Sequence, residues 1–461
     1  MSNQKFISAS EFCDLVTDGT HDSPKKTETG IKLVTSKNIV GGSLDLTSAY
    51  FISELDARNI NKRSQVHIND VLLSMIGTVG EVALIEKEPD FVIKNVGLLK
   101  NSDSKKARWL YYYLKSPISQ NLIKDRLRGT TQQYIPLGEL RNLPILKPNS
   151  EEHLQNTIEQ LSSLDKKIQL NTQINQTLEQ IAQALFKSWF VDFDPVRAKV
   201  QALSDGLNLE QAELAAMQAI SGKTPEELTA LSQTQPERYA ELAETAKAFP
   251  CEMVEIDGVE VPKGWKQTTL SEICEMQNGY AFKSSEWTDT GIPVIKIGSI
   301  QSKILTVEGN GFVSEDNLSL RSNFVLNGGD IVIGLTGAYV GKVGRMPANK
   351  KAMLNQRVAK FLAKRINESE TFYSFIYMNV IQEEFKNFVD FTAQGSAQPN
   401  ISTKDILKYP VLLANNDVHL AFEKLLKKIL DKSIFNSYQN EILSNSRDLL
   451  LPRLLDGENY E

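Results

Sequence analysis

The sequence predicts a mixed α/β (α+β) fold, with two repeated mixed domains and long coiled-coil helices. Three observations lead to this prediction. The chain has 461 residues, which is too long for one ordinary hydrophobic core. Its two halves match in order at an offset of about 260 residues, and each half precedes a segment with helical spacing of apolar residues. With 41% apolar residues, each half can bury its own core.

The repeat is clearest where a strand-like apolar run ends in a glycine turn. Residues 70–77 (DVLLSMIG) match residues 330–337 (DIVIGLTG), and the tight-turn dipeptides at 18–19 and 278–279 precede them. Further along, the glycine-polar loop at 129–132 matches 395–398 at an offset of about 266. Because the order is kept, we interpret the two halves as copies of one mixed strand-and-helix domain.

Two long helices are predicted after the repeats. In each, apolar residues recur in steps of three and four, which predicts a coiled-coil face and suggests that the two faces pack together. Asn171, Asn175, Asn436 and Asn440 fall on these faces. They either pair across the helices and fix the register or line a locally wet surface.

The sequence therefore divides into five parts. They are a first repeat domain at 1–149, a central helix at 150–199, a helical insertion or linker at 200–255, a second repeat domain at 256–415 and a C-terminal helix at 416–461.

The net charge of −6 conceals two basic segments. Residues 205–260 contain 12 acidic and 3 basic residues, whereas 100–147 contain 10 basic and 3 acidic residues and 342–365 contain 8 basic and no acidic residue. Ordinary solvated faces could explain either basic segment alone. Their related positions in the two repeats favour a duplicated anion-binding surface.

Catalytic and membrane functions find no support in the sequence. Residues 336–343 resemble a phosphate loop, but Thr336 replaces its first glycine and Val343 its hydroxyl residue. The four histidines are scattered, and the three cysteines are too far apart for a metal knuckle. No apolar run is long enough for a membrane span, and the first ten residues do not form a signal peptide. We expect a cytoplasmic, non-catalytic binding protein.

Three strings carry a resemblance to a known family. Residues 186–196 (FKSWFVDFDPV) closely resemble the end of the central conserved region of Type I restriction-modification specificity (S) subunits. Residues 447–457 (RDLLLPRLLDG) are similar to their C-terminal conserved helix, and 261–265 (VPKGW) to the start of their second recognition domain. Residues from about 200 to 250 depart from the shorter members.

The resemblance implies two target-recognition domains on two antiparallel spacer helices, each domain reading one half of a split, asymmetric DNA site. It implies two methyltransferase (M) subunits and restriction (R) subunits as partners, beside double-stranded DNA. S-adenosylmethionine is then expected in the methyltransferase partner, and ATP and Mg in the restriction partner. This chain itself is expected to hold no cofactor and no metal.

The candidate residues are polar or basic loop residues for DNA and apolar helix residues for partners. Turn formation alone is an alternative role for any single loop residue. The DNA-binding candidates are Thr20, His21, Lys37, Arg126, Arg128, Thr130, Thr131, Gln132, Gln133 and Tyr134 in the first repeat, and Tyr280, Lys283, Tyr339, Lys342, Arg357, Ser396, Gln398 and Asn400 in the second. The partner-docking candidates are Phe186, Trp189, Phe190, Phe193, Leu450 and Leu454.

Two other functions are compatible with parts of this pattern. One is a helical protein-binding scaffold that touches DNA only nonspecifically, which a footprint would distinguish. The other is a stand-alone DNA-modifying enzyme, which would turn over substrate without added subunits.

Overall fold

The computed structural model describes residues 6–301, 303–393 and 399–457. The chain forms two compact units. The first consists of Met1–Ile168 and Ile442–Glu461, and the second of Gln169–Glu441. The two long helices contribute residues to both units. The mixed helix and sheet content, with one repeat in each unit, confirms the predicted fold class.

The first repeat is built on a four-stranded antiparallel sheet in the order β2-β10-β7-β8, beside a three-stranded sheet in the order β6-β3-β9. Its strands are β1 (Phe6–Ser8), β2 (Leu15–Asp18), β3 (Ile31–Val34), β4 (Ile39–Val40), β5 (Ser43–Leu44), β6 (Tyr50–Ile52), β7 (Val71–Ser74), β8 (Val82–Leu84), β9 (Phe91–Ile93), β10 (Val96–Lys100) and β11 (Pro144–Leu146). Its helices are α1 (Ala9–Phe12), α2 (Glu54–Ser64), α3 (Ser104–Lys115), α4 (Pro117–Lys124) and α5 (Leu137–Arg141).

Helix α6 (Glu151–Phe190) follows the first repeat and has 40 residues. This helix ends within the segment 150–199 that the sequence assigns to the central helix, and a second helix begins there. Phe193 adopts the left-handed conformation with φ of 58°, and Pro195 begins helix α7 (Asp194–Ser204). A left-handed residue breaks the helical path, and proline is suited to the first turn of a new helix because its missing N–H has no intrahelical partner there.

The insertion is helical, as the sequence indicated, but only as far as Ala248. Its helices after α7 are α8 (Leu209–Ser221), α9 (Pro225–Thr234) and α10 (Pro236–Ala248). Asn208 and Thr224 cap α8 and α9, each in a capping box with the residue three positions on. Lys199 is 1% exposed, and its Nζ donates to the Phe249 carbonyl at 2.7 Å, which ties α7 to the end of α10.

The second repeat has the same central sheet, in the order β15-β23-β20-β21. The strands of this part of the chain are β12 (Met253–Ile256), β13 (Val259–Pro262), β14 (Lys266–Thr269), β15 (Cys274–Asn278), β16 (Trp287–Thr288), β17 (Ile292–Ile295), β18 (Phe312–Val313), β19 (Val325–Leu326), β20 (Ile331–Gly334), β21 (Val343–Arg345), β22 (Ala352–Leu354), β23 (Val358–Ala363) and β24 (Pro410–Leu413). The helices are α11 (Asn317–Leu320), α12 (Tyr373–Val380), α13 (Glu383–Thr392), α14 (Thr403–Ile406) and α15 (Asn416–Asp456).

The two long helices, α6 and α15, are antiparallel within each unit. In the second unit Asn171 contacts Asn440, and Asn175 contacts Asn436, so rising numbers on α6 meet falling numbers on α15. In the first unit the same order holds for Thr157 with Leu454 and for Asp165 with Arg447. Among the described residues, no helix combines the length and apolarity that a membrane crossing needs.

Candidate nucleic-acid interface

Four segments of the first repeat, together with Ser36, are joined by hydrogen bonds into one loop cluster: residues 18–21, 75–80, 94–95 and 128–135. Thr20 N donates to Ile93 O at 3.1 Å, and Gly77 N donates to Gln133 O at 3.2 Å. The Ser36 hydroxyl links the two parts, since it donates to Asn95 O and accepts from Ile76 N. The cluster therefore has a fixed backbone.

The second repeat forms an equivalent loop cluster from residues 278–281, 335–341, 355–357 and 399–401. Tyr280 N donates to Leu354 O at 2.9 Å, as Thr20 does to Ile93. Gly337 N donates to Pro399 O at 2.8 Å, as Gly77 does to Gln133. Residues that match in the sequence at offsets of 260 to 266 therefore make the same backbone hydrogen bonds in the two repeats.

Each cluster contains a glycine at a position where no side chain would fit. A Cβ at Gly19 would lie 2.4 Å from the Ile93 carbonyl oxygen, and one at Gly279 would lie 1.9 Å from that of Asn355. Backbone cannot move aside as a flexible side chain can. These glycines permit the close approach of two chain segments that forms each cluster.

A partly buried ion pair supports the central sheet of each repeat, and it was not identified from the sequence. Lys100 Nζ lies 3.1 Å from Asp70 Oδ2, and Lys360 Nζ lies 2.7 Å from Asp330 Oδ2. The aspartates are equivalent at an offset of 260, but the strand register aligns Lys360 with Leu98, so the two lysines approach them from different positions of β10 and β23. The aspartates also accept the backbone N–H of His67 and Asn327, and so hold the turns before β7 and β20.

The candidates of the first repeat fall into two groups. Residues 129–134 form an exposed loop closed by Arg128 N donating to Tyr134 O at 2.8 Å. His21 is exposed beside it in the cluster, with Nδ1 2.8 Å from Asn95 Oδ1 and Nε2 3.1 Å from Asp18 Oδ2. The 129–134 loop and His21 therefore present polar side chains at the surface from a fixed backbone.

The remaining candidates of the first repeat are less available or lie elsewhere. Arg128 Nη2 lies 2.8 Å from Glu139 Oε1, and Arg126 donates to the Leu122 carbonyl, so both guanidinium groups already have partners. Lys37 is exposed on the short 3-10 helix after β3, next to Ser36 of the cluster.

In the second repeat the structure brings several candidates into the cluster. Asn400 forms an antiparallel bridge with Thr336, and Arg357 is exposed between the other segments. Lys342 lies over the Tyr339 ring, with Nζ 4.6 Å from its centroid. Ser396 and Gln398 lie outside the described residues.

Two candidates of the second repeat pack against the protein itself. The Tyr280 hydroxyl accepts from Arg321 Nη2 at 3.1 Å, and the Tyr280 ring packs edge-on against Phe282. Lys283 is exposed and begins the short helical turn 284–286, whose Glu286 side chain accepts its backbone N–H.

The aromatic residues predicted to dock a partner are instead core residues of the second unit. Phe186, Trp189, Phe190 and Phe193 are each at most 7% exposed. The Trp189 ring packs edge-on against Phe249 with centroids 5.0 Å apart. Burying a tryptophan removes about 200 Å² from water, or about 5 kcal/mol, so these side chains are not free to bind elsewhere.

Leu450 and Leu454, the other docking candidates, belong to the core of the first unit. Leu454 is 8% exposed and Leu450 is partly buried there. The Leu454 carbonyl accepts from His153 Nε2 at 2.6 Å, which fixes the end of α15 against the start of α6.

An ionisable residue of α15 is buried against the second repeat. Both Glu423 carboxylate oxygens accept backbone N–H groups at the start of α12, from Ser374 and Phe375, at 2.9 Å each. Burial raises the pKa of Glu423 to about 7, and burial lowers the pKa of the nearby His419 to about 3. The carboxylate caps α12 and so fixes the second repeat to α15.

The duplicated sheet, the duplicated loop cluster and the antiparallel helix pair agree with the comparison to known families. The family described as "Type I restriction modification DNA specificity domain" matches residues 1–180 and 262–418. The chain belongs to the Type I restriction-modification specificity subunits. The unmatched residues between these ranges include α7 to α10.

Individual relatives agree with this membership. The chain is 44% identical over 345 residues to the specificity subunit of the Type I restriction enzyme HindI from Haemophilus influenzae, covering 73% of each chain. It is 22% identical over 392 residues to the MjaIX specificity subunit of Methanocaldococcus jannaschii, covering 84% of this chain and 77% of that one.

A crystal structure of a Type I restriction-modification S subunit from M. genitalium shares the fold, with a TM-score of 0.53. The two are 17% identical, and the match covers 98% of this specificity subunit and 97% of the other chain. As a specificity subunit, this chain is the recognition component and not the enzyme of its system. Within the described part of the chain, no group of three or more His, Cys, Asp or Glu residues is placed to hold a metal ion.

Proposed function

We propose that this specificity subunit binds a bipartite, asymmetric double-stranded DNA site, with one half-site read by each repeat. The observation that carries the proposal is the pair of loop clusters. Their backbone hydrogen bonds are equivalent, whereas their side chains differ: Thr20 corresponds to Tyr280, and Tyr134 to Asn400. A common frame with different polar groups suits two recognition sites that read different bases.

The basic residues supply the sequence-independent part of binding. Lysine and arginine bind phosphates and release counterions, which gives affinity that falls with salt. In the first repeat, Lys37 is exposed beside the cluster, and in the second repeat Lys342 is exposed directly after the 335–341 segment. The net charge of −6 does not oppose this role, because the acidic residues are concentrated at 205–260.

We further propose that the subunit docks two methyltransferase subunits, and that restriction subunits join the complex. S-adenosylmethionine would bind to the methyltransferase partner, and ATP with Mg to the restriction partner. Since the predicted aromatic docking residues are core residues, docking would use exposed parts of the same elements. Val191, 53% exposed at the end of α6, is one such position.

Mapping methylated adenines tests the proposal. The full chain is expressed with its cognate methyltransferase subunit in a host without other adenine methylation. We expect one interrupted, asymmetric motif, and no methyl transfer by either subunit alone. Methylation spread without a motif, together with a footprint that shows no sequence preference, would support the helical scaffold with nonspecific DNA affinity.

A further inference from the structure

Arg357 is an additional residue of the second loop cluster with no counterpart in the first. In the first repeat, Asn95 N donates to Thr20 O, and the next residue, Val96, accepts from Gly19 N. In the second repeat the equivalent bonds involve Gln356 N and Val358 O. One residue, Arg357, is therefore inserted between two positions that are otherwise equivalent.

The inserted arginine has a left-handed backbone, with φ of 70°. Asn95, at the corresponding turn of the first repeat, has φ of 54°. In this region Cβ crowds the backbone, and asparagine tolerates it better than arginine because its short amide can hydrogen-bond to the local backbone. An extra residue beside a strand redirects the side chain that it carries, and such strain is concentrated at functional sites.

The Arg357 side chain is exposed, and no hydrogen bond or ion pair joins it to another described residue. Several other basic residues of 342–365 are engaged by the protein, among them Arg365, whose Nη1 donates to the Glu368 carbonyl at 2.7 Å. Lys350 contacts Glu441, and Arg345 donates to the Leu430 carbonyl. The arginine of this segment with a left-handed backbone is therefore the one whose guanidinium has no hydrogen-bond or ion-pair partner among the described residues.

The backbone on either side of this guanidinium is fixed. The Arg357 carbonyl accepts from Leu335 N at 2.9 Å, and the Val358 carbonyl accepts from Gly279 N at 3.0 Å. Arg357 thus connects the 278–281 and 335–341 segments of the cluster. A mobile lysine would be sufficient to bind a phosphate. A planar guanidinium on a fixed backbone is better suited to forming two directional hydrogen bonds with one partner.

We propose that Arg357 is a specificity-determining residue of the second repeat and reads one guanine through paired hydrogen bonds to its O6 and N7 atoms. This is the commonest specific contact that arginine makes in the major groove. The inference rests on the proposed function, since it assigns one base of one half-site. It predicts a G·C pair in the half-site that the second repeat reads.

Two substitutions separate recognition from structure. R357N keeps a residue that tolerates the left-handed region, and R357G removes the strain altogether. Each variant is expressed in full length with the cognate methyltransferase subunit, and its methylated motif is compared with that of the unaltered chain. Discrimination at one G·C position should fall about 10- to 100-fold, with the rest of the motif unchanged.

Two controls match the charge and the backbone conformation. K351N removes an exposed positive charge at the opposite end of β22, and it should leave the motif unchanged. N95G alters the left-handed residue of the first repeat, and it should leave the guanine preference of the second half-site intact. The melting temperature of purified R357G should not be lower than that of the unaltered chain.

The outcomes are distinct. Full guanine preference in both R357N and R357G overturns the inference but leaves the proposed function standing. Loss of all methylation in both variants, with lowered melting temperatures, assigns Arg357 a structural role and also overturns it. If the unaltered chain directs no interrupted motif, the proposed function fails and this inference fails with it.

Discussion

Asn171 of α6 donates from Nδ2 to Oδ1 of Asn440 of α15 at 3.0 Å, and Asn171 is only 2% exposed. One turn along, Asn436 Nδ2 donates to Asn175 Oδ1 at 2.9 Å. Each helix thus places two amides in the seam between the helices. Buried amides must be paired, so a shifted alignment of the helices would leave polar groups without partners.

Replacing one member of this pair should destabilise the second unit. In N171L, the Oδ1 atom of Asn440 loses the Asn171 amide as its donor, at a cost of about 1–2 kcal/mol. In the double variant N171L/N440L the loss should be smaller than the sum of the single losses, because two leucines can pack together. The loss in the free energy of unfolding is measured for each variant by denaturant unfolding, followed by hydrogen exchange in α6 and α15. Additive losses would contradict a direct interaction between the two amides.

Lengthening both long helices together should change the gap between half-sites. Four residues inserted after Asn171, with four more inserted after Gln439, add about 6 Å of helix and roughly one turn. We expect the gap to change by one or two base pairs while both half-sites stay the same, as read from methylation motifs. The insertion in α6 alone is the control, and it should lower stability because Asn175 loses Asn436. An unchanged gap in the paired insertion would show that the helices do not set the spacing.

The buried Glu423 should make stability depend on pH. Its pKa in the folded chain, about 7, is above the ordinary value of 4.5. A raised pKa means stability that is fully present below about pH 4.5 and is lost as pH rises through about 7. Between pH 4.5 and 8 the unaltered chain should therefore lose about 3 kcal/mol relative to E423Q, which cannot ionise.

His419 contributes in the opposite direction, because its folded pKa, about 3, is below 6.5. Its contribution is present above about pH 6.5 and is lost as pH falls through about 3. It is common to both chains and cancels when the unaltered chain is compared with E423Q. Parallel stability curves for the two chains would mean that Glu423 ionises in the folded state as it does in water.

The cluster glycines should affect one half-site each. G19A and G279A both force a Cβ against a backbone carbonyl, so each should destabilise its own repeat by about 2–3 kcal/mol. G19A should weaken recognition of the first half-site, and G279A that of the second. Binding to duplexes altered in one half-site at a time measures this, with G298A as the control, because a Cβ at Gly298 meets nothing within 4 Å and its backbone is not left-handed. Equal effects of G19A and G279A on both half-sites would argue against one half-site per repeat.

The sequence by itself determined the duplicated mixed fold, the long helices and the family. Each follows from patterns that can be read along the chain. Apolar periodicity indicates a helix, a glycine dipeptide indicates a turn, and the same series of such patterns in both halves indicates a repeat. The seam asparagines were also identified, because the heptad pattern assigns them to one face. Whether they paired or faced water depended on the partner helix, more than 250 residues away in the chain.

Only the tertiary structure decided which of the conspicuous residues are available to bind. Phe190 and Trp189 stand in a string typical of the family, but they are buried by residues distant in sequence, such as Phe249 and Phe422. Arg357 is one of eight basic residues in its segment, and nothing local distinguishes it from the others. Its guanidinium has no hydrogen-bond or ion-pair partner among the described residues. Its position results from a one-residue insertion relative to the first repeat. Both are properties of long-range packing, which no local pattern encodes.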